Sequence, residues 1–219
     1  MTWSDDAWQS VKPTYEQILE HTFVRQLRSG TLSREVFLRY LLDDARYLSG
    51  YARALAMIAP RLPDTADVAV LARSAAGAVE AERALHATLL GEHGIDVDAP
   101  GEPTPTCRLY TSYLIAAAAT EPVEVALAAV LPCFRVYAEV GTAIAADAAP
   151  DHPYAEWIAT YADPEFATLT AEVEALADRL AKRAGAGVTE RMDAAYALCT
   201  TLEWMFWDAS WRGERWPDV

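Results

Sequence analysis

The sequence has little positive charge. Its 219 residues include 18 Lys and Arg against 32 Asp and Glu, and the formal net charge is −14 at pH 7. Proteins bind nucleic acids and anionic lipids largely through cationic side chains, and no run of Lys or Arg is present here. We therefore expect neither a nucleic acid nor a membrane as a direct partner.

Cysteine is also scarce, and its spacing carries no metal or disulfide pattern. The three residues Cys107, Cys133 and Cys199 are far apart and odd in number. A zinc site would need closely spaced ligands such as CxxC, and a disulfide framework would need an even number of thiols. The cysteine content predicts neither.

Long apolar runs are missing as well. The most apolar segment is interrupted by Glu121, Glu124 and Arg135, so no uncharged stretch reaches the roughly 20 residues of a membrane span. The first residues (MTWSDDAW) are acidic and lack the basic-then-apolar layout of a signal peptide. These absences predict a cytoplasmic protein.

What the sequence has in abundance is apolar and helix-favouring residues. Hydrophobic residues make up 53%, including seven Trp and ten Tyr, which is enough for a large core. Alanine is frequent and β-branched residues are sparse, a balance that favours helices over strands. The length suits one domain, so we expect a single all-α domain over residues 1–219.

Apolar spacing and capping residues place the helices. The first is expected over Asp5–Arg28, bent near Pro13 and ended by the Ser29–Gly30 pair. Thr31 or Ser33 would cap the second, which has apolar residues three and four apart and stops before proline. The remaining segments are helices at about 65–93, 106–119, 122–148, 151–161 and 163–184 and from Thr189 onward, with a loop at 96–105.

Asp44 interrupts the apolar face of the second helix. Its neighbours at helical spacing are Tyr40, Leu41, Tyr47, Leu48 and Tyr51. A buried carboxylate needs hydrogen-bond partners, a raised pKa or a ligand. Periodicity alone leaves two interpretations open: Asp44 binds a ligand, or a neighbouring Tyr or Arg satisfies it at the edge of the apolar face beside Asp43.

Cys133 lies on an apolar helical face within 129–141 (AVLPCFRVYAEVG). The preceding Pro132 removes a backbone donor and favours a kink with a local cavity. A buried cysteine is usually an inert small hydrophobe, and it becomes a nucleophile only with a lowered pKa or a matched acid partner. Both interpretations stay open for Cys133, whereas Cys107 and Cys199 are expected to be inert.

Glu203 lies among aromatic residues in 198–207 (LCTTLEWMFW). Burial there would raise its pKa and suit a general acid or base. The alternative is a surface residue beside an aromatic core face.

The histidines give no metal-binding pattern. Glu82 and His86 are one helical turn apart, which is a ligand spacing, but a di-iron bundle needs two Glu-x-x-His motifs with further glutamates, and these are absent from the sequence. We expect a structural role for His86 and no metal site.

Short motifs run through the chain in a fixed order. They are GTL at 30–32, F..YLL.D..YL at 37–48, EAE..LH at 80–86, YTSYL at 110–114, LPC…YAEVG at 131–141, HPYAEWIATY at 152–161 and E..FWDASW at 203–211. In this order and spacing they resemble the TenA/thiaminase II family over roughly residues 5–212.

The resemblance implies a heme-oxygenase-like helical bundle without metal or organic cofactor, usually a homotetramer (or a dimer). It also implies a hydrolase of thiamin salvage, an aminopyrimidine aminohydrolase. Its substrate would be the small molecule 4-amino-5-aminomethyl-2-methylpyrimidine, which is converted to the hydroxymethyl pyrimidine. Some members also cleave thiamin.

The family's site residues match positions of this chain. By resemblance, Cys133 is the nucleophile of the cysteine-containing branch, Glu203 is the acid/base, and Asp44 holds and activates the pyrimidine. The matching pocket tyrosines are Tyr47, Tyr110, Tyr137 and Tyr161.

The chain departs from the family pattern at three positions. His21 is followed by Thr rather than Pro, Asp43 replaces a frequent Gln, and Leu202 replaces a frequent Tyr. Arg46 is expected to pair with Asp43 outside the pocket. The Leu202 change affects the residue before the acid/base, so we expect the pKa of Glu203 or the substrate range to differ from the family pattern.

Two other functions compete with the hydrolase. A different enzyme on the same bundle, such as a heme-degrading or dimetal oxygenase, would need a proximal histidine or a carboxylate–histidine cluster. A non-enzymatic regulator would have to act through a protein partner, since the acidic charge and the missing helix-turn-helix signature argue against DNA contact.

Overall fold

The computed structural model describes residues 1–93 and 102–217, without the side chains of residues 85, 86 and 88–93. Residues 96–101 of the predicted loop at 96–105 therefore lie outside the described residues. The side chain of His86 also lies outside them. In the described residues all regular structure is helical, so the all-α prediction is confirmed. No helix in those residues is long and apolar enough to cross a bilayer.

The helices are connected by short turns. In chain order they are α1 (Trp3–Ser10), α2 (Lys12–Glu20), α3 (Thr22–Arg28), α4 (Arg34–Ile58), α5 (Thr65–His93), α6 (Pro105–Thr120), α7 (Val123–Ala145), α8 (Ala155–Tyr161), α9 (Pro164–Ala181) and α10 (Ala186–Arg212), with a 3₁₀ turn at Ala59–Arg61.

The chain divides into two compact units. The first consists of Met1–Leu32 and Glu124–Trp204, and the second of Ser33–Val123 and Met205–Val219. Helix α10 belongs to the first unit up to Trp204 and to the second from Met205 onward. That residues 1–219 form a single domain stays a prediction.

The prediction of one helix over Asp5–Arg28 is wrong, because the segment forms three helices. The first break is at Val11, and Pro13 lies in the first turn of α2, where its missing N–H is no loss. The second break is at His21, whose extended backbone ends α2 and whose Nδ1 accepts a hydrogen bond from the backbone N–H of Phe23 at 3.2 Å. Side-chain capping thus restarts a helix that apolar spacing alone would continue.

Other helix ends follow their capping residues. Gly30 has a left-handed φ of 70°, which suits the predicted end of α3. Of the two predicted caps for α4, Ser33 is used, and its Oγ accepts from the backbone N–H of Val36 at 3.3 Å. Helix α8 begins later than the predicted residue 151, because His152 Nδ1 first accepts from the backbone N–H of Tyr154.

The core of the first unit contains α7. Residues 125–132 of this helix are all buried. Arg135 on the same helix forms ion pairs with Glu139 at 2.8 Å and Glu174 at 2.9 Å, and its guanidinium lies over the Trp8 ring, 4.9 Å from the centroid. These contacts connect α7 to α9 and α1.

In the second unit, α4 packs against α5 and α6. Arg61, after the end of α4, donates hydrogen bonds to the carbonyl oxygens of Ala118 and Glu121 and so caps the end of α6. At the other end of the unit, Arg39 Nε donates to the carbonyl oxygen of Ser210 at 3.4 Å, which joins α4 to the last turns of α10.

Gly141 allows α7 to approach the end of α8. A Cβ atom at this position would lie 2.6 Å from the backbone carbonyl carbon of Tyr161, closer than any real side-chain contact allows. We expect Gly141→Ala to lower the free energy of unfolding by about 1–3 kcal/mol, because backbone must shift to admit the methyl group. Chemical denaturation measures this.

Gly77 provides the matched control, since it lies within α5 and a Cβ there would meet no atom within 4 Å. Gly77→Ala should stabilise the protein by about 0.5–1 kcal/mol through helix propensity. Equal effects of the two substitutions would contradict a close approach at Gly141.

Candidate active site

Asp44 is a buried carboxyl group with one unsatisfied oxygen. It lies on α4 with 2% of its surface exposed. The Tyr40 side chain hydrogen-bonds to the carboxyl group, but no described residue hydrogen-bonds to Asp44 Oδ2. Burial raises the pKa of Asp44 to about 7, the Tyr40 hydrogen bond opposes that rise, and the nearby Asp43 charge adds to it.

Aromatic rings accompany Asp44 on α4 and the helices packed against it. Tyr40 stacks on Trp207 with 5.0 Å between ring centroids. Tyr47, one turn after Asp44, contacts Tyr110 of α6 at 4.9 Å and Phe206 of α10 at 5.5 Å. We call these five residues and Asp44 the Asp44 cluster.

The Asp44 cluster is suited to bind a flat, N–H-bearing ring. An unpaired acceptor in a buried position strongly favours a partner that donates a hydrogen bond, and aromatic side chains favour planar ligands. One interpretation of the sequence was that a neighbouring Tyr or Arg satisfies Asp44, and Tyr40 is such a neighbour. It satisfies the Asp44 carboxyl group only in part, so that interpretation does not account for Oδ2.

Asp43, the adjacent residue, is fully occupied by contacts within the protein. Its carboxylate accepts hydrogen bonds from the backbone N–H and the hydroxyl of Thr104. Arg46 Nη1 lies 3.6 Å from Asp43 Oδ1, which confirms the predicted pair. Burial nevertheless raises the pKa of Asp43, with the Thr104 and Arg46 contacts opposing it.

The three cysteines differ in exposure. Cys133 on α7 is half-buried, whereas Cys107 and Cys199 are buried. Burial raises the pKa of both buried thiols and so disfavours their thiolates. Cys133 is the cysteine with access to solvent, consistent with the expectation that the other two are inert.

Tyr137 and Tyr161 form a second aromatic group, in the first unit. Their ring centroids are 4.7 Å apart, and Trp157 of α8 lies 4.7 Å from Tyr161. Tyr137 is one turn after Cys133 on α7. The predicted nucleophile and two of the predicted pocket tyrosines thus belong to the same unit.

Glu203 lies on α10, also in the first unit, and is 1% exposed. The alternative of a surface position is therefore wrong. It stands one turn after Cys199, and its charge is a secondary cause, after burial, of the raised pKa of that thiol. A carboxyl group in such a position has the desolvated setting expected of a general acid or base.

The predicted residues thus fall into two sets. Asp44, Tyr47 and Tyr110 belong to the second unit, and Tyr47 contacts Tyr110. Cys133, Tyr137, Tyr161 and Glu203 belong to the first.

Sequence reasoning missed Thr104 and Trp157: Thr104 is 61 residues from Asp43, and no local pattern signals the pairing. Across the described residues, no group of three or more His, Cys, Asp or Glu is arranged to hold a metal ion.

The chain belongs to the TENA/THI-4/PQQC family, whose model matches residues 8–213. An aminopyrimidine aminohydrolase from Bacillus subtilis is 31% identical over 222 residues, which is 100% of this chain and 93% of that protein. The chain also matches the thiamine biosynthesis multifunctional protein ThiED of Corynebacterium efficiens, at 39% identity over 94% of its length, but spans only 28% of that longer protein.

Solved structures show the same fold. A TenA homologue from P. horikoshii OT3 has a TM-score of 0.86 and 30% identity, covering 97% of this chain and 100% of that one. A domain of unknown function with a heme oxygenase-like fold from Shewanella denitrificans has a TM-score of 0.71 and 16% identity, covering 94% and 90%. The predicted heme-oxygenase-like fold is confirmed.

The raised pKa of Asp44 makes stability depend on pH in a definite direction. Because the folded-state pKa of about 7 exceeds the ordinary value of 3.8, protonation favours the folded state. This contribution is complete below about pH 4 and is lost as the pH rises through 7, at a cost of about 4 kcal/mol. We expect Asp44→Asn to remove this pH-dependent contribution. The free energy of unfolding of the variant, measured relative to that of the wild type, should therefore increase from pH 4 to pH 7 in denaturation experiments.

The control is Asp151→Asn, at an exposed turn position, which should parallel the wild-type pH dependence. In addition, Tyr40→Phe should raise the pKa of Asp44 further, because the hydrogen bond that opposes the shift is lost. An Asp44 carboxyl ¹³C resonance that titrates near pH 4 in the wild type would contradict both expectations.

Proposed function

We propose that the protein is an aminopyrimidine aminohydrolase of thiamin salvage. It would convert 4-amino-5-aminomethyl-2-methylpyrimidine and water into the hydroxymethyl pyrimidine and ammonia. The observation that carries the proposal is the unsatisfied oxygen of Asp44 in an aromatic cluster. An aminopyrimidine supplies the N–H donor that Asp44 Oδ2 lacks, on a flat ring that the aromatic side chains can stack against. The full-length match to the Bacillus subtilis enzyme supports the same substrate class.

Asp44 would bind the edge of the ring. An aminopyrimidine presents an exocyclic amino group beside a ring nitrogen, and a carboxyl group pairs with both in two parallel hydrogen bonds. With a pKa of about 7, Asp44 shares a proton readily with the ring nitrogen near neutral pH. Protonation there withdraws electrons from the ring and makes its carbons electrophilic, while the Tyr47 and Tyr110 rings offer stacking surfaces.

Cys133 would supply the nucleophile. Its thiolate adds to the ring carbon next to the substituted one, a carbon–sulfur bond forms, and the ring electrons move onto the protonated nitrogen system. The ring loses its aromaticity and becomes an electron-rich enamine, which expels the amine from the exocyclic methylene. Covalent addition thus divides one difficult displacement into easier steps.

Glu203 would act as general acid and then as general base. It donates a proton to the departing amine, which leaves as ammonia, and then takes a proton from the water that attacks the methylene carbon. The carbon–sulfur bond breaks last, which releases the Cys133 thiolate and restores the aromatic ring. A buried carboxyl group holds a proton at neutral pH more readily than an exposed one, which suits this role.

The same resemblance leads us to propose a homotetramer (or dimer) in the cytoplasm. By the same resemblance, Tyr137 and Tyr161, which are in contact with each other, would contact the substrate. Cleavage of thiamin as well would require room for its leaving group near Glu203, and Leu202 beside Glu203 departs from the family pattern there.

The direct test offers the purified protein aminomethyl pyrimidine and thiamin side by side. We expect ammonia and hydroxymethyl pyrimidine from the first substrate at a higher kcat/KM than any cleavage of the second. Cys133→Ala should reduce turnover by at least about a thousandfold, because addition to the ring has no substitute nucleophile. The measurements are ammonia release and chromatography of the pyrimidines.

Cys199→Ala is the matched control, because it removes a buried thiol from the same unit without removing the proposed nucleophile. It should retain turnover of the order of the wild type, with helicity followed by circular dichroism in each variant. Undiminished ammonia release by folded Cys133→Ala would refute cysteine catalysis, and no release by the wild type would refute the substrate.

A further inference from the structure

Asp43 and Thr104 form a closed set of hydrogen bonds between α4 and the start of α6. The Thr104 hydroxyl donates its single proton to Asp43 Oδ2, and the Thr104 backbone N–H donates to Oδ1 at 3.2 Å. The same hydroxyl oxygen accepts the backbone N–H of Cys107 at 3.2 Å and so caps α6. Cys107 Sγ lies 3.6 Å from the backbone carbonyl oxygen of Asp43 and donates to it. We call these three residues the Asp43 clasp.

The Asp43 clasp is largely buried and has defined donors and acceptors. Asp43 is 4% and Cys107 1% exposed, and Thr104 is half-buried. A hydroxyl that donates to a carboxylate has only its lone pairs left for the Cys107 N–H, so the direction of each bond is fixed. Charge-assisted bonds of this kind are stronger and more directional than bonds between neutral groups.

The segment that leads into α6 is also held from other sides. Arg46 Nη1 donates to the carbonyl oxygen of Glu102 at 3.1 Å. Trp216 Nε1 donates to the carbonyl oxygen of Pro103 at 2.9 Å, and Glu214 Oε2 accepts the backbone N–H of Thr106 at 2.8 Å. The start of α6 is therefore fixed to α4 and to the residues that follow α10.

The clasp lies one helical turn from the aromatic contact of the Asp44 cluster on both helices. On α4, Asp43 is one turn before Tyr47, and on α6, Cys107 is one turn before Tyr110. Tyr47 and Tyr110 are in contact at 4.9 Å. Because a helix is rigid over one turn, a displacement of the clasp moves Tyr110 relative to Tyr47 by a similar distance.

We propose that Asp43 is a positioning residue of the proposed aminopyrimidine site: through Thr104 its carboxylate fixes the start of α6 on α4 and so sets where Tyr110 meets Tyr47 beside Asp44. This inference rests on the proposed function for its activity readout.

Asp43 has a second effect, through its charge. Within the described residues of the second unit, Tyr40 and Asp43 on α4 act on the pKa of Asp44, and the charge of Asp44 acts on Cys107 of α6. Helix α10 presents the uncharged rings of Trp207 to Tyr40 and of Phe206 to Tyr47. Asp43 raises the pKa of Asp44 by charge repulsion. Geometry and charge can be separated by substituting Thr104 and Asp43 independently.

The experiment compares Thr104→Val, Thr104→Ser and Asp43→Asn with the wild type. Thr104→Val removes the hydroxyl and should lower kcat/KM for aminomethyl pyrimidine by roughly tenfold to a hundredfold, as expected for misplaced binding groups. Thr104→Ser restores the hydroxyl and should regain most of that loss. Asp43→Asn should lower kcat/KM and also shift the titration of the Asp44 ¹³C carboxyl resonance to lower pH.

Thr120→Val is the matched control, because Thr120 lies at the far end of α6 and its hydroxyl donates to the carbonyl oxygen of Ala116 on the same helix. It should leave kcat/KM unchanged. A folded Thr104→Val protein with wild-type kcat/KM would overturn the positioning role. An Asp43→Asn protein with an unshifted Asp44 titration would overturn the separate effect of the Asp43 charge.

A different result would show that the proposed function, and not the positioning role, is wrong. If the wild type hydrolyses no aminopyrimidine, the proposed function fails, but nuclear Overhauser contacts between the Tyr47 and Tyr110 rings still test the clasp. We expect these contacts in the wild type and Thr104→Ser and their weakening in Thr104→Val. Persistence of the contacts in Thr104→Val would overturn the inference whatever the activity.

Discussion

The burial of a carboxyl group among aromatic rings is the constraint on which the second unit depends. Removing Asp44 from water costs free energy that Tyr40 alone recovers only in part, because one oxygen keeps no hydrogen-bond partner in the described residues. Buried carboxyl groups of this kind are found mainly where they bind a ligand or take part in catalysis. Strongly shifted pKa values are concentrated at functional sites for this reason. The surrounding tyrosines and tryptophan keep the carboxyl group dry.

The adjacent aspartates show how two neighbouring positions on one helix take different roles. Both carboxylate oxygens of Asp43 accept hydrogen bonds from Thr104, and Arg46 lies nearby, so contacts within the protein fix the Asp43 side chain. Asp44, rotated about 100° around the helix axis, faces the aromatic rings and has an oxygen left over. Neighbours in sequence therefore belong to different environments, and the charge of the structural one tunes the acidity of the other.

Sequence reasoning located features that depend on local patterns. The apolar face of α4 and the capping Ser33 are local signals, and both were predictable, as was the burial of Asp44. The breaks at Val11 and His21 were missed because the apolar spacing continues through them. The His21 break depends on a side-chain cap, whereas Val11 has no side-chain cap and precedes Pro13 in the first turn of α2. Thr104 could not be found at all, since its partner is 61 residues away and its own neighbours read as a loop.

Each unit is assembled from two separated stretches of chain, and this interleaving bears on how the protein is made. In the second unit, Arg39 hydrogen-bonds to Ser210, 171 residues away in sequence, and Trp216 hydrogen-bonds to Pro103, 113 residues away. Contacts so distant in sequence carry a large loop-closure entropy and form late. We expect helices α4, α5 and α6 to stay incompletely covered during synthesis until residues 205–217 have been added, an interval in which a chaperone has apolar surface to bind.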